Sequence, residues 1–496
     1  MSDDGAIRAR MQSVLEAQRA AFLAAPFPSA GERRDKLRRL VAALRAGQDE
    51  LVEAVHADFT VRPRMEIRML EVLGPVLEAR HAIARLGRWM RSERRATELL
   101  FLGNSARVEY QPKGVVGIVS PWNFPCYLSL GPLIAALAAG NRALIKVSEA
   151  TPRTCEALRV LLARCFPEDE VAVFGGGPED GRFFSGLPFD HIVFTGSPAI
   201  GREVMRAAAA NLVPVTLELG GKCPAIIGNA ASIGEGALRV AHGKAVNAGQ
   251  ICVAPDYAMV PRGTAGNFAD AITWAWQKLV PTVQGNPDYT SIIDERHAAR
   301  LASLLEDARA QGASVVCCSR DAGGGRRLPL HLVLGATPQM RVMREEIFGP
   351  ILPVIEFNDL DQALAHVRAG ERPLAIYGFG LEAHERERLL RETHSGGVTF
   401  GDWGWHVFQH DLPFGGVGNS GQGGYHGIEG FRSLSHARAV FHRRPWYPIA
   451  FFYPPYGNLV QRLALRFYLG RRARTEGEDA GPNAAEIASG ARRSAR

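Results

Sequence analysis

The sequence predicts an α/β protein built from two successive parallel-sheet units, and three observations carry that expectation. Between residues 130 and 219, short β-branched and aliphatic runs alternate with amphipathic stretches of helix length. The same alternation resumes after Cys223. Strands separated by helices of that length need crossover connections, which make the strands parallel and cover both faces of the sheet. The chain of 496 residues, 46% hydrophobic and 22% charged, can bury more than one core and excludes a disordered, fibrous or disulfide-stapled protein.

Taken in order, residues 7–24, 32–46, 48–56 and 66–91 carry apolar positions at three- and four-residue spacing and read as helices. This helical start contains no chemical motif. At Ala106 the period changes, because residues 106–111 and 115–120 are short β-like runs separated by Pro112, Lys113 and Gly114, which predicts a strand pair. Helix 130–139, strand 143–146, helix 152–165, strands 171–174 and 192–194, helix 199–209 and strand 215–219 then form the first α/β unit. Strand 225–227, helix 232–247, strand 257–260 and helices 267–279 and 295–311 begin the second, which starts near Gly220.

The net charge of +7 raises the question of nucleic acid, but part of the excess is terminal. Residues 471–496 set Arg471, Arg472, Arg474, Arg492, Arg493 and Arg496 against Glu476, Glu478, Asp479 and Glu486 in a Gly/Ala/Ser-rich stretch, which reads as a disordered tail and not a nucleic-acid arm. Only six of the 58 cationic residues are lysine, so each retained lysine merits attention. The cysteines at 126, 155, 165, 223, 252, 317 and 318 show no zinc spacing, so no metal site is expected. Their odd, scattered set and an acidic start at Asp3 and Asp4 point to a cytoplasmic protein without a secretory signal. The aromatic segment 446–470 is interrupted by Pro448, Pro454, Pro455, Arg462 and Arg466. Packing against the body or a partner subunit is therefore expected in preference to contact with a membrane.

Two stretches need a chemical explanation. In Pro121-Trp122-Asn123-Phe124-Pro125 two prolines fix a turn at a strand end, and the Asn123 amide becomes a candidate oxyanion donor. In Glu218-Leu219-Gly220-Gly221-Lys222 a carboxylate at a strand end is followed by glycines that admit a ligand to the backbone. Thirty residues on, Gly249-Gln250-Ile251-Cys252 places a cysteine in a polar loop as a candidate nucleophile. The other six cysteines read as small buried hydrophobes.

These pieces occur in the order and spacing of one family. With Ile145 to Glu149, Phe194 to Ser197, Glu345 to Pro350 and Pro413 to Gly421, they make the chain resemble the NAD(P)-dependent aldehyde dehydrogenases over residues 121–421. Gly249 to Tyr257, His410 to Gly421, the Tyr425-His426-Gly427 run and Tyr453 to Tyr456 are similar to the class 3 and coniferyl aldehyde dehydrogenase branch. The resemblance implies a Rossmann-like cofactor domain (1–105 and 121–218), an α/β catalytic domain (219–410) and a β oligomerisation arm (106–120 and 430–445) that pairs with a second subunit, hence a homodimer.

It also implies roles. Cys252 would attack the aldehyde, Asn123 and the Cys252 N–H would hold the oxyanion, and Glu218 would activate water against the thioester. Lys146 and Glu149 would bind the adenosine ribose, with the Glu149 carboxylate favouring NAD over NADP by repelling a 2′-phosphate. Trp122, Gly196, Ser197, Gly201 and Leu219 would line the cofactor, with Gly196 and Gly201 beside the pyrophosphate. Glu346 and Phe348 would hold the nicotinamide ribose and ring. Val147 departs from the proline usual after that lysine, and Gly401 from the branch's frequent Asn. The loop 401–411 would form the substrate mouth, with Trp403, Trp405, His406 and Phe414 suited to an aromatic or long apolar aldehyde. The alternatives are a CoA-acylating enzyme, which the presence of Glu218 opposes, and a non-catalytic binding protein on the same fold.

Overall fold

In a computed structural model of the chain, which describes residues 3–447 and 452–470, the residues fall into two compact units. The first holds the described residues up to Arg91 and from Glu109 to Arg438, and the second those of Ser92–Val108 and from Ala439 onward.

The first unit opens with helices. Ala30–Ala46 starts at a capping box, in which Ser29 accepts from the Glu32 N–H and the Glu32 side chain accepts from the Ser29 N–H. The continuous helix expected over 66–91 is instead Arg64–Ile67 and Gly74–Trp89 joined by a π-helical turn, Arg68–Leu73. Such turns interrupt the i→i−4 ladder and recur at functional sites. Here the turn buries Glu71 and Val72.

Strands β1 (Glu93–Arg95) and β2 (Ser105–Pro112) follow, and then β3 (Val115–Val119). β3 joins β4 (Arg142–Lys146), β5 (Val171–Phe174), β6 (His191–Gly196), β7 (Val215–Leu219) and β15 (Gly421–Gln422) in a six-stranded sheet of order β15-β7-β6-β3-β4-β5. All its pairs are parallel except β15 with β7. The predicted strand pair 106–111 and 115–120 is therefore wrong, and so is the assignment of 115–120 to the arm. The Val-Val-Gly-Ile-Val run is apolar on both faces, so it is covered on both, between β4 and β6, and the turn at Pro112 to Gly114 separates two sheets.

The second sheet of this unit contains β8 (Pro224–Ile227), β9 (Tyr257–Pro261), β10 (Ser314–Cys317), β11 (His331–Leu334), β12 (Ile351–Phe357), β13 (Ala375–Phe379) and β14 (Gly397–Phe400). Its order is β10-β11-β12-β9-β8-β13-β14, parallel throughout except at the β10 edge. The predicted α/β alternation is thus observed, with its helices ending within a few residues of the expected positions.

Within the second unit β1 lies antiparallel to β2, with Arg94 opposite Arg107. β16 (Ser435–His442) completes the three-stranded sheet of order β1-β2-β16. Residues 92–105 therefore do not belong with the cofactor-side sheet as expected, and 430–433 lie in the helix Gly427–Ser433 and not in an arm strand. The 446–470 segment includes the helix Leu459–Leu469, whose Leu459, Leu463 and Phe467 are exposed. Among the described residues no helix is long and apolar enough to cross a membrane. The expected tail, 471–496, lies outside the described residues.

The parallel strands aim their carboxyl ends at one place, as expected for ligand sites in open α/β sheets. β3 runs into Pro121 to Pro125, β4 ends at Lys146, β6 at Gly196 and β7 at Leu219.

Candidate active site

The helix Ile233–Ala245 leads into a turn in which Asn247, Ala248 and Gly249 have φ of 47°, 52° and 71°. Two of the three are non-glycine residues in the left-handed region, a conformation costing about 1 kcal/mol or more each, so surrounding contacts must hold it. Gln250 supplies several of them. Its Nε2 donates to Asn247 O at 2.9 Å and Ser291 O at 3.2 Å, and its Oε1 accepts from the Ile293 N–H at 3.0 Å. Cys252 follows two residues later, so its place is fixed by a buried amide.

Asn123 comes to the same loop from the other side. Its Nδ2 donates to Gln250 O at 3.1 Å, which leaves a second amide N–H free of that bond, and the residue is 2% exposed. Burial pushes the Cys252 thiol up to about 12, and the Glu346 and Glu218 carboxylates push in the same direction. The backbone N–H groups of Cys252 and Val253 pull it down.

Glu218 sits in β7 opposite Gly421 of β15 and is 2% exposed. Neither carboxylate oxygen has a partner of good hydrogen-bond geometry. Burial raises its pKa well above the usual range, with the Gly416 N–H opposing. Glu346 is raised to about 8, by burial first and then by Asp256. Its Oε1 is buried without a partner, and a Cβ on Gly220 would fall 1.9 Å from its Oε2. That approach explains the glycine: any side chain at 220 would displace Glu346.

Three cations grip the loop that carries Glu346. Lys222 donates to Val342 O and Glu345 O at 2.8 and 3.0 Å and pairs with Asp256, whose Oδ1 accepts from the Ile347 N–H at 2.9 Å. Arg300 donates to the Glu346 and Ile347 carbonyls. The wholly buried Lys244 donates to Gly349 O at 3.2 Å. Phe348, with φ of 53°, holds its ring 5.3 Å from that of Trp122, which in turn lies 4.9 Å from His297.

A second cluster forms at the ends of β4 and β6. The buried Lys146 donates to Val147 O and Gly176 O at 2.9 and 2.8 Å, and Glu149 is exposed three residues on. Ser197 caps the helix Pro198–Ala209 by accepting from the Ile200 N–H. A Cβ on Gly201 would meet Leu219 Cδ2 at 2.6 Å, so the helix can lie this close to β7 only without one. This helix start, the glycine approaches and the unpartnered Glu346 oxygen fit a dinucleotide with anionic phosphates and ribose hydroxyls.

Between Cys252 and the surface lies a cavity of about 330 Å³. Asn123 and Cys252 form part of its wall, with Met69, Phe124, Trp403, Trp405, Phe408 and Phe414. The surface is mostly aromatic and aliphatic, which favours an apolar guest with one reactive polar end.

A family model described as the aldehyde dehydrogenase family matches residues 5–440. The chain belongs to the aldehyde dehydrogenase family. It is 48% identical over 460 residues to a probable coniferyl aldehyde dehydrogenase of Pseudomonas aeruginosa, covering 93% of this chain and 96% of the relative. It is 44% identical over 418 residues to the coniferyl aldehyde dehydrogenase of Pseudomonas sp. strain HR199, covering 83% and 86%. Among solved structures, the substrate-bound state of Staphylococcus aureus AldH is similar with a TM-score of 0.85 at 32% identity, covering 92% of this chain and 99% of that one. The protein is thus an NAD(P)-dependent enzyme that oxidises an aldehyde to the acid.

In this aldehyde dehydrogenase Trp403, Trp405 and Phe414 lie on the cavity wall, and His406 does not. Its Nδ1 bonds the Thr399 hydroxyl at 2.8 Å and its ring lies over Gly397, because the turn of about 100° per residue in the short helix Trp405–Phe408 carries this side chain away from the cavity that Trp405, Val407 and Phe408 line. The sequence reading missed Met69, Leu70, Tyr127 and His242 of the wall, Tyr425 and His426 as wall residues, and Lys244 of the loop grip. The scarcity of lysine was a usable signal for Lys244. Nothing local marks Met69 or Tyr127, which look like ordinary helix positions.

Proposed function

We propose that Cys252 is the nucleophile, Asn123 the oxyanion donor and Glu218 the base of the hydrolytic step. The supporting observation is that Cys252 and Asn123 share the wall of one apolar cavity while Glu218, buried and poorly partnered, acts on the same thiol. Cys252 Sγ, having given its proton to solvent water, bonds the aldehyde carbon, and the oxygen takes the charge beside the Asn123 amide and the Cys252 N–H. Losing the amide should cost about 3 kcal/mol of barrier. Lys146, Glu149, Gly196, Ser197, Gly201, Leu219, Trp122, Glu346 and Phe348 would hold NAD(P), which would supply the acceptor for the hydride that leaves the adduct's carbon as the thioester forms. Glu218 then takes a proton from a water molecule as the water oxygen attacks the thioester carbon; the C–S bond breaks, the acid leaves, and Glu218 returns the proton to the Cys252 sulfur.

Burial raises the proton affinity of Glu218, which makes its carboxylate a stronger base toward water. It also favours hydrolysis over acyl transfer to CoA. The exposed Glu149 carboxylate favours NAD, since a 2′-phosphate would meet like charge. Glu149→Gln should narrow the preference between the two cofactors in initial-rate assays. The preferred substrate is an aromatic aldehyde of the coniferyl type, on the strength of the aromatic cavity and the relatives at 44–48% identity. The enzyme is read as a cytoplasmic homodimer, consistent with its free cysteines and with the separate sheet of β1, β2 and β16.

The deciding experiment follows reduced-cofactor absorbance with coniferyl aldehyde, cinnamaldehyde and hexanal, each with NAD and NADP. Cys252→Ala should abolish turnover and leave cofactor binding intact. Full turnover by that variant would overturn the mechanism, and a preference for hexanal the substrate reading.

A further inference from the structure

The helical start of the chain, which lacks any motif, buries a charge network that reaches the reaction centre. Arg62 and Glu71 are both wholly buried, and Arg62 Nη1 donates to Glu71 Oε1 at 2.6 Å. The guanidinium lies between two rings, 5.0 Å from that of Phe59 and 4.6 Å from that of Phe124. The same Nη1 reaches the main-chain oxygen of Asn123 at 3.0 Å, and Nε donates to Glu66 Oε1 at 3.0 Å.

Each acid extends the network further. Glu71 Oε2 accepts from the Cys126 and Tyr127 N–H groups at 2.8 and 3.2 Å, fixing the backbone just after Phe124-Pro125. Glu66 Oε2 accepts from the Asn247 N–H at 3.1 Å, at the start of the left-handed turn before the nucleophile. Asn247 Nδ2 returns to Asn123 O at 3.0 Å. Arg62 therefore stands at the junction of both strips of backbone that would make the oxyanion hole.

A buried ion pair adds little stability over a well-packed apolar pair, because desolvation offsets the attraction. A planar guanidinium, however, holds two carboxylates and a carbonyl through one rigid fork, whereas the three donors of a lysine rotate about a flexible stem and an apolar side chain has none. We infer that Arg62, with Glu71 and Glu66, is a positioning residue that sets the Asn123 amide against the Cys252 loop and so shapes the oxyanion hole. This inference rests on the assignment of Asn123 and Cys252 made above.

The test separates oxyanion placement from the integrity of the thiol. Acylation of Cys252 by p-nitrophenyl acetate passes through an oxyanion; alkylation by iodoacetamide does not. Arg62→Lys keeps the charge opposite Glu71 and loses the fork. It should slow both acylation and aldehyde turnover by about 100-fold, the cost of a misplacement near 1 Å, with alkylation rate and the Kd for NAD unchanged. Asn123→Ala is the reference. If it slows acylation and Arg62→Lys does not, the inference fails while the site assignment stands. If Asn123→Ala leaves acylation intact, the site assignment fails and takes the inference with it. Equal loss of acylation and alkylation in Arg62→Lys would show a general scaffold role and also overturn it. Should Arg62→Lys not fold, Glu66→Gln serves in the same two assays: slowed acylation with normal alkylation supports the inference, and any other pattern refutes it.

Discussion

The Lys244 ammonium donates to Gly349 O at 3.2 Å, and this one bond ties the helix leading to Cys252 to the loop bearing Glu346 and Phe348. Among the described residues it is the only lysine that is wholly buried, and burial lowers its pKa to about 8. In Lys244→Met the loop loses that tether, so reduced-cofactor formation should slow by about tenfold or more while p-nitrophenyl acetate acylation, which needs no cofactor, stays normal. Slowing of both reactions alike would assign Lys244 to the nucleophile side.

Lys244 also gives the protein a pH-dependent stability. Its native pKa lies below the unfolded 10.5, so its neutral form is the one the fold prefers. The resulting contribution is fully present above the unfolded pKa and is lost as pH falls through about 8. At neutral pH and below the group costs at most about 3 kcal/mol. Lys244→Met should therefore melt higher than the parent at pH 6 and converge with it near pH 10, in thermal scans at both values. Parallel curves would refute the assignment.

Glu346, held near 8, adds negative charge beside Cys252 as pH rises through that value. A like charge raises a thiol's pKa. Glu346→Gln should accordingly move the midpoint of the alkylation pH profile down by about one unit, visible above pH 8. An unmoved or raised midpoint would mean that the two groups are not coupled.

Removing the proposed base separates the two halves of the reaction. In Glu218→Gln the first equivalent of reduced cofactor should still appear as a burst, with steady-state turnover lowered about 100-fold or more because the thioester persists. Stopped-flow absorbance distinguishes this from a variant in which the burst itself is lost, which would place Glu218 at thiol activation.

Trp405 and His406 are neighbours in sequence and should behave oppositely. Trp405 is 57% exposed at the cavity mouth, so Trp405→Ala should raise KM for coniferyl aldehyde with little change in Tm. His406 is buried against Thr399, its pKa lowered to about 4, so His406→Ala should lower Tm and leave the ratio of aromatic to aliphatic kcat/KM unchanged. A change in that ratio would return His406 to the substrate wall.

The α/β alternation and the candidate chemical residues, in their order, can be read from the chain alone, because periodicity is local and each motif is a contiguous run. Lys146, Cys252, Glu218 and Asn123 were legible for that reason. Strand partners were not. Val115–Val119 looks like the second half of a hairpin, and only the competition of all parallel strands for buried neighbours places it between β4 and β6. The cavity wall and the Arg62 network were equally hidden, since Met69, Tyr127 and Glu71 occupy helical positions with ordinary local patterns and Arg62 lies in the short link between the helices Gln48–Asp58 and Arg64–Ile67. What they do depends on which groups lie across from them: Arg62 and Asn123 are 61 residues apart in the chain and 3.0 Å apart in space. A guanidinium with no water around it must find its acceptors in the fold, and only the tertiary structure shows that one of them is the main-chain oxygen of Asn123.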